Sequence, residues 1–282
     1  MEESTESIYG FEPPYYFSWS LIGGDWIASN STQNGVPGKN EYGDYYGIID
    51  WISGEGANIA VPNSVHSFKI SNGANNVNIS GNADYGLIHN YGHYTKINVS
   101  CLSLGLSNYG DDCEIISDSS NSMITNQGIN VYIKTGNGLD WIDNRGSDEN
   151  ENSGMNTRIN SGAGDDTIDS RRNNVLISSG EGNDVIINAH IFGWGFETKA
   201  SNVTINSGTG NDSIVNGLID RIGGSHALII GGSGNDSISN DFGGNYSTIN
   251  GDTGDDLISN GGADVNIDAG IGNDSIYNMV IT

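Results

Sequence analysis

Counting in nines from Ile52 meets Val61, Ile70, Ile79, Ile88, Ile97, Leu106, Ile115, Ile124, Ile133 and Ile142 without a polar interruption. The frame resumes at Ile159, Ile168, Ile177 and Ile186, at Ile205 and Ile214, at Ile229 and Ile238, and at Ile249, Ile258, Ile267 and Ile276. A fixed period of this kind marks a chain built of stacked repeating units. The residue two before each frame position divides them into two alternating kinds, which makes the repeat eighteen residues long. One kind reads Val-x-Ile, as at Val131-Tyr132-Ile133, Val175-Leu176-Ile177 and Val203-Thr204-Ile205. The other reads Asp-x-Ile, as at Asp166-Thr167-Ile168 and Asp212-Ser213-Ile214. Each is a short period-two stretch, hence a short strand. Two such strands and two turns make one coil, and stacking coils buries an aliphatic ladder that no single coil could bury.

Composition agrees with a thin seam of core. Only 35% of the 282 residues are apolar and 42 are Gly, and each Gly inside a helix costs about 1 kcal/mol relative to Ala. An ordinary helical protein is excluded, and four Pro without a Gly-X-Y period exclude collagen. Asparagine supports stacking independently. Asn72, Asn90, Asn108, Asn126, Asn144, Asn188, Asn216, Asn240, Asn260 and Asn278 all lie two residues after an Asp-type frame position, with Ser170 the exception. Identical amides stacked on an axis can hydrogen-bond one to the next. The predicted architecture is an all-β, right-handed parallel β-solenoid of roughly twelve coils, about 55 Å long at the usual strand spacing.

Breaks in the frame fall at 142–159, 186–205, 214–229 and 238–249, always after an Asp-type strand. The opposite turn keeps its length throughout the frame, which points to a geometric constraint there. It reads Gly136-Asn137-Gly138-Leu139-Asp140, Gly162-Ala163-Gly164-Asp165-Asp166 and Gly180-Glu181-Gly182-Asn183-Asp184. It continues as Gly208-Thr209-Gly210-Asn211-Asp212, Gly232-Ser233-Gly234-Asn235-Asp236, Asp252-Thr253-Gly254-Asp255-Asp256 and Gly270-Ile271-Gly272-Asn273-Asp274. Glycines permit positive φ and aim carbonyls at one point, and Asp adds carboxylate oxygen, an all-oxygen set suited to a hard cation. Two unit charges at about 4.8 Å repel by roughly 3.5 kcal/mol at an effective dielectric near 20, so a column of seven Asp calls for cations or protons. Asp also caps turns through local hydrogen bonds, which is the plainer reading.

Gly-x-Gly-x-Asp-x-aliphatic on a nonapeptide frame resembles the hemolysin-type (RTX) calcium-binding repeats over about residues 136–278. The resemblance implies a β-roll whose Ca²⁺ ions sit between successive glycine turns. Asp140, Asp166, Asp184, Asp212, Asp236, Asp256 and Asp274 would hold them. The carbonyls of Gly136, Gly138, Gly162, Gly164, Gly180, Gly182, Gly208, Gly210, Gly232, Gly234, Gly254, Gly270 and Gly272 would complete the sites. The family usually carries the glycine turn on both edges; this chain has it on one, so a single column of at most about six sites is expected. In coils 52–133, Phe68, Gly86, Leu104 and Ser122 replace the Asp, and that half is expected to be metal-poor. The organisation read from the sequence is a cap over 1–49, metal-poor coils over 50–135 and RTX-like coils over 136–282.

Residues 1–49 are rich in aromatics, among them Tyr9, Phe11, Tyr15, Tyr16, Phe17, Trp19 and Trp26, and suit a cap for the first coil or a sugar platform. His190, Phe192, Trp194 and Phe196 in the 189–200 insertion could grip a glycan or protein, or pack over neighbouring loops. His66, His89, His93, His190 and His226 show no zinc-ligand spacing. Cys101 and Cys113 are expected as free thiols, Cys113 at an inward position and Cys101 in a turn. Arg145, Arg158, Arg171, Arg172 and Arg221 show no pairing with a base that a lyase groove would need, and no enzymatic activity is expected. The mixed outward positions Tyr132, Arg158, Leu176, Thr204 and Leu228 do not suit ice.

A net charge of −25 excludes nucleic acid and anionic membranes as partners and favours cations. No apolar run of about eighteen residues is present, so no membrane span is expected, and the first thirty residues lack a secretory-signal pattern. The expected function is a calcium-stabilised extracellular or cell-surface structural or adhesion protein, with bacterial-type secretion implied by the resemblance. The alternative is a noncatalytic polysaccharide-binding module of a secreted carbohydrate-active enzyme. The last coil, lacking a visible cap, suggests a longer protein or end-to-end self-association.

Overall fold

The computed structural model describes residues 65–146, 152–188, 200–217 and 224–279, together with 18–22, 25–29, 46–52, 56 and 58–61. The described residues form a parallel β-solenoid with no helix. Each coil runs through a Val-type strand, a tight turn, an Asp-type strand and a second, variable turn. Strands of one kind stack on their own kind, giving two facing parallel sheets. Pairing is like on like, as in Ile133 on Ile159, Ile159 on Ile177 and Ile177 on Ile205 in one sheet. In the other, Ile142 pairs with Ile168, Ile168 with Ile186 and Ile186 with Ile214. Each of these isoleucines is at most 1% exposed. The pattern buried-exposed-buried along each strand is what alternate side chains give when one sheet face is core and the other solvent.

The variable turns absorb the insertions without disturbing the register. Trp141 pairs with Thr167 twenty-six residues on, and Val185 with Ser213 twenty-eight on. The first coil departs from the nine-residue count. There Ile59, not Val61, pairs with Ile79, and Ile49, not Ile52, pairs with Ile70, with a bulge before Ile52. The short turn between Ile59 and Ile70 is therefore two residues longer than elsewhere, so its constant length does not extend to this coil. Val61 is nevertheless buried at 3%.

At the N-terminal end, strands β1 (Ser18–Ile22) and β2 (Asp25–Ser29) form an antiparallel hairpin, and β2 lies parallel to β4 (Asn58–Val61). Strand β3 (Tyr46–Ile52) begins the Asp-type sheet by pairing with β5 (Ser67–Asn72). The aromatic side chains assigned to a cap lie outside the described residues. Two longer strands, β6 (Asn78–Asn90) and β7 (Lys96–Asn108), run through the tight corner as continuous extended chain. From Asp118 onward the same corner interrupts the strands, and from Gly136 it is the glycine turn.

The predicted asparagine relay is present. The Asn72 Nδ2 donates to Asn90 Oδ1 at 2.7 Å, Asn90 to Asn108 at 2.7 Å, Asn108 to Asn126 at 2.8 Å and Asn126 to Asn144 at 2.8 Å. It resumes from Asn188 through Asn216, Asn240 and Asn260 to Asn278. Most of these amides donate a second bond to a carbonyl of the following turn, such as Asn126 to Gly128 at 3.1 Å. Ser170 breaks the relay. It accepts from Asn144 at 3.2 Å, but Asn188 Oδ1 is buried without a partner.

A second column, not read from the sequence, lies three residues before each Val-type isoleucine. Asn76, Tyr94, Asp112, Asn130, Asn156, Asn174, Asn202, His226, Tyr246 and Asp264 all have φ between 54° and 59°. Asn and Asp tolerate this left-handed conformation best, and their preponderance at one frame position is the signal that could have revealed it. Exposed amides bond along this column from Asn202 to Asn174, Asn156 and Asn130. Both cysteines are buried free thiols; Cys101 faces the interior of its corner at 5% exposure. Burial pushes each thiol up to about 11, which leaves both unreactive at neutral pH.

The gap in the relay generates a test. Ser170→Asn should supply Asn188 with its missing donor, worth about 1 kcal/mol, and raise the melting midpoint by a few degrees. Asn126→Ala should lower it by at least as much, because it leaves Asn144 Oδ1 unpaired. Thermal melts of both variants check this; a Ser170→Asn midpoint at or below wild type would contradict the relay as a stabilising device.

Candidate functional site

The seven Asp singled out by the motif form one column just inside the glycine edge. Six of them, from Asp140 to Asp256, are at most 2% exposed, and Asp274 in the last coil is half-buried. Their inward position follows from period two: each Asp precedes a core isoleucine by two residues and therefore shares its face. Each carboxylate is tied to the previous coil. Asp166 Oδ1 accepts the backbone N–H of Asp140 at 2.9 Å, Asp184 that of Asp166 at 2.9 Å, and Asp212 that of Asp184 at 2.8 Å. Asp236, Asp256 and Asp274 repeat the bond to Asp212, Asp236 and Asp256. Asp140 Oδ1 ends the column on the Ser122 N–H at 2.6 Å.

An outer column runs the opposite way. The Asp165 Oδ1 accepts the N–H of Asn183 at 2.7 Å, Asn183 Oδ1 that of Asn211, Asn211 Oδ1 that of Asn235, Asn235 Oδ1 that of Asp255, and Asp255 Oδ1 that of Asn273. The five turns from Gly162 to Asp256 are thus each stapled to the coil before by the inner Asp and to the coil after by the outer Asx. A third row consists of hydroxyls. Thr135 donates to the Ser161 carbonyl at 2.6 Å, Ser161 to Ser179 at 3.0 Å, Ser179 to Ser207 at 2.8 Å, and Ser207 to Gly231.

What this bonding leaves over is one oxygen per carboxylate. The Oδ2 atoms of Asp140, Asp166, Asp184, Asp212, Asp236 and Asp256 are buried without a hydrogen-bond partner. Burial is the main reason that all six carboxyls sit above the ordinary carboxylate range; the backbone N–H each accepts opposes it, as do the neighbouring hydroxyls of Thr135, Ser161, Ser179 and Ser207 at Asp140, Asp166, Asp184 and Asp212. Asp166 and Asp236 are pushed up to about 7, with the neighbouring Asp charges adding to the rise. A buried carboxylate oxygen with no donor is satisfied by a proton or by a hard cation.

The glycines answer to a different need. Gly182 and Gly210 have φ of 129° and 133°, and a methyl on Gly210 would overlap the Gly182 carbonyl oxygen. Close stacking of turn on turn requires glycine there with or without a metal, so the Gly-x-Gly spacing does not by itself distinguish a cation site from a turn. At Asp252, which replaces the first glycine of its turn, φ is 76°, a value Asp can adopt.

The donors fit a hard cation in kind, since all are oxygen. Of the candidate carbonyls, that of Gly136 accepts from Ala163 at 3.0 Å, and the carbonyls lying between the paired glycines, those of Ala163, Glu181 and Thr209, accept from Gly138, Gly164 and Gly182. Among the described residues no three His, Cys, Asp or Glu side chains cluster as a metal-binding group. The site is one carboxylate oxygen per coil, not a preformed cage. In the other half of the rod, Phe68, Leu104 and Ser122 fill the equivalent positions as buried groups, and Gly86 is half-buried there.

His190, Phe192, Trp194 and Phe196 of the variable loop lie outside the described residues. Of the remaining histidines, His66 pairs with Asp84, and His93 Nδ1 accepts the Asp111 N–H at 3.0 Å, a coil-to-coil staple. No helix of the described residues is long and apolar enough to cross a membrane. No family model, no curated protein and no solved structure matches this chain.

Without metal, stability should fall as pH rises. The folded column holds its protons to about 7 at Asp166 and Asp236, whereas an unfolded Asp releases its proton near 3.8. Between those values unfolding releases protons and is favoured by rising pH. In chelator, the melting midpoint at pH 5 should exceed that at pH 8; a flat or rising profile would contradict the raised carboxyls.

Proposed function

We propose that this chain is a calcium-stabilised, noncatalytic structural or adhesion repeat protein that works outside the cell or at its surface. The observation that carries the reading is the column of six buried carboxylate oxygens without donors. A net charge of −25 supports it, because the folded rod gathers negative charge that divalent cations neutralise. The similarity of the turns to RTX repeats supports calcium over other hard cations.

In this reading Asp140, Asp166, Asp184, Asp212, Asp236, Asp256 and Asp274 supply the carboxylate oxygens, and the glycine carbonyls from Gly136 to Gly272 supply neutral ones. Calcium takes six to eight oxygens in flexible geometry, which suits donors contributed by two successive turns. The outer Asx staples hold neighbouring turns in register, and the stacked glycines keep the turns close enough for donors of two coils to converge. Modest sites of this kind fill at the 10⁻⁴ to 10⁻³ M class of extracellular modules, and at low calcium the like charges of the column favour the unfolded chain. The half from Val65 to Ile133 needs no ion in this reading, resting on packing, the asparagine relay and staples such as His93 to Asp111.

Circular dichroism melts in millimolar calcium and in chelator test the proposal, using wild type and Asp184→Asn. Calcium should raise the wild-type midpoint by ten degrees or more. Asp184→Asn keeps the shape but removes one charge, so its midpoint in chelator should be at or above wild type while its gain from calcium is smaller. Equal midpoints in calcium and chelator at pH 8 would overturn the calcium reading.

A further inference from the structure

The hydroxyl row beside the Asp column stops part-way along the rod. Thr135, Ser161, Ser179 and Ser207 are buried, and each stands five residues before an Asp of the column. Each donates its one hydrogen to a carbonyl of the next coil, as Ser179 does to Ser207 at 2.8 Å. Each also lies against the carboxyl five residues on, that of Asp140, Asp166, Asp184 or Asp212, and favours its charged form. In the next two coils the same place belongs to Gly231 and Gly251, both buried. There the carboxylate leans over the glycine: Asp236 Oδ2 lies 2.5 Å from where a Cβ on Gly231 would stand, and Asp256 Oδ2 lies 2.4 Å from the same point on Gly251. These two oxygens are as buried and unpartnered as the other four, but the place that supplies a hydroxyl elsewhere holds only glycine.

We propose that the hydroxyl row grades the cation column, so that calcium binds most tightly, and matters most to folding, at the coils of Asp236 and Asp256. The grading rests on the calcium reading and adds which turns depend on the ion. A serine or threonine hydroxyl has one hydrogen to give, and here it has two acceptors within reach. With an ion on the carboxylate, the hydrogen stays on the carbonyl of the next coil. With the ion gone, a turn of the side chain hands it to the carboxylate. The deficit then moves from a charged oxygen to a neutral carbonyl, which is the cheaper of the two to leave unpaired. At Gly231 and Gly251 there is no hydrogen to hand over. Only an external partner satisfies a carboxylate oxygen buried there, so loss of calcium exposes these coils to the whole desolvation penalty. Each coil contacts only its neighbours, so the difference stays local and forms a boundary along the rod. It falls between the strand ending at Asn216 and the strand beginning at Leu228.

Hydrogen–deuterium exchange read by mass spectrometry, on the full chain at pH 8 in millimolar calcium and in chelator, tests it. In chelator, wild-type amides of 228–260 should exchange about tenfold faster than in calcium, and those of 158–216 no more than about threefold faster. Ser207→Ala removes the hydrogen available to Asp212. It should bring 204–216 into the strongly calcium-dependent group, with a much smaller change in calcium itself. Ser179→Ala should do the same for 176–188. Ser247→Ala removes a buried hydroxyl on the variable-turn side and should leave the calcium dependence of every segment as in wild type. An end that merely frays would show the wild-type pattern without answering to Ser207→Ala. Calcium dependence spread evenly over 158–260, or exchange speeded equally in calcium and in chelator by Ser207→Ala and Ser179→Ala, would overturn the grading and leave the calcium reading standing. A smaller calcium effect in those variants would also overturn it, by making the hydroxyls ligands of the ion. No difference between calcium and chelator in any segment would overturn the calcium reading, and the grading with it.

Discussion

Parallel strands in register place each residue about 4.8 Å from its counterpart in the next coil, and everything in this molecule answers to that spacing. A side chain at a given frame position must tolerate its own kind above and below. Isoleucine does so by interlocking, and the buried ladder from Ile59 to Ile258 is the result. Asparagine does so because one amide carries both donor and acceptor, so that Asn72 bonds to Asn90 as Asn90 does to Asn108. Glycine does so in the turns, where any Cβ would meet the neighbouring carbonyl.

Aspartate is the residue for which the rule works least well. A carboxylate has acceptors only, and a stack of carboxylates cannot relay hydrogen bonds as amides do. The fold recovers half of each group by giving Oδ1 a backbone N–H from the adjacent coil. That arrangement lessens the like-charge repulsion expected of the bare column, but Oδ2 stays buried and unpartnered. Natural cores seldom retain such a group without a use for it. The two halves of the rod show the contrast directly, since Phe68 and Leu104 fill the same inward corner with apolar packing and no such deficit.

Much of the fold was legible because solenoid stacking turns three-dimensional neighbours into a fixed count along the chain. The frame from Ile70 to Ile276, the asparagine relay, its fault at Ser170 and the confinement of insertions to one edge were all readable in this way. The first coil was misread at Ile52 and Val61, since the bulge before Ile52 and the longer turn after Ile59 shift the register while leaving aliphatics at the expected count. The inner Asp column was placed by its spacing from the isoleucines. Its bonding to backbone N–H groups was not, because hydrogen bonds between coils depend on side-chain rotamers that no spacing reports. The opposed outer column from Asp165 to Asn273 escaped for the same reason. The glycine spacing does not by itself separate a cation site from a plain turn, since stacking alone demands it.

The central claim is that the unpartnered oxygens of the Asp column are satisfied by a divalent cation when the protein is at work. Crystals grown in calcium, with anomalous differences collected at long wavelength, test it at the atoms concerned. The account expects discrete peaks between successive glycine turns from Asp140 to Asp274, adjacent to Oδ2, and none along the corner from Phe68 to Ser122. A map with no peaks beside the Asp column, in crystals bathed in millimolar calcium at pH 8, would contradict it.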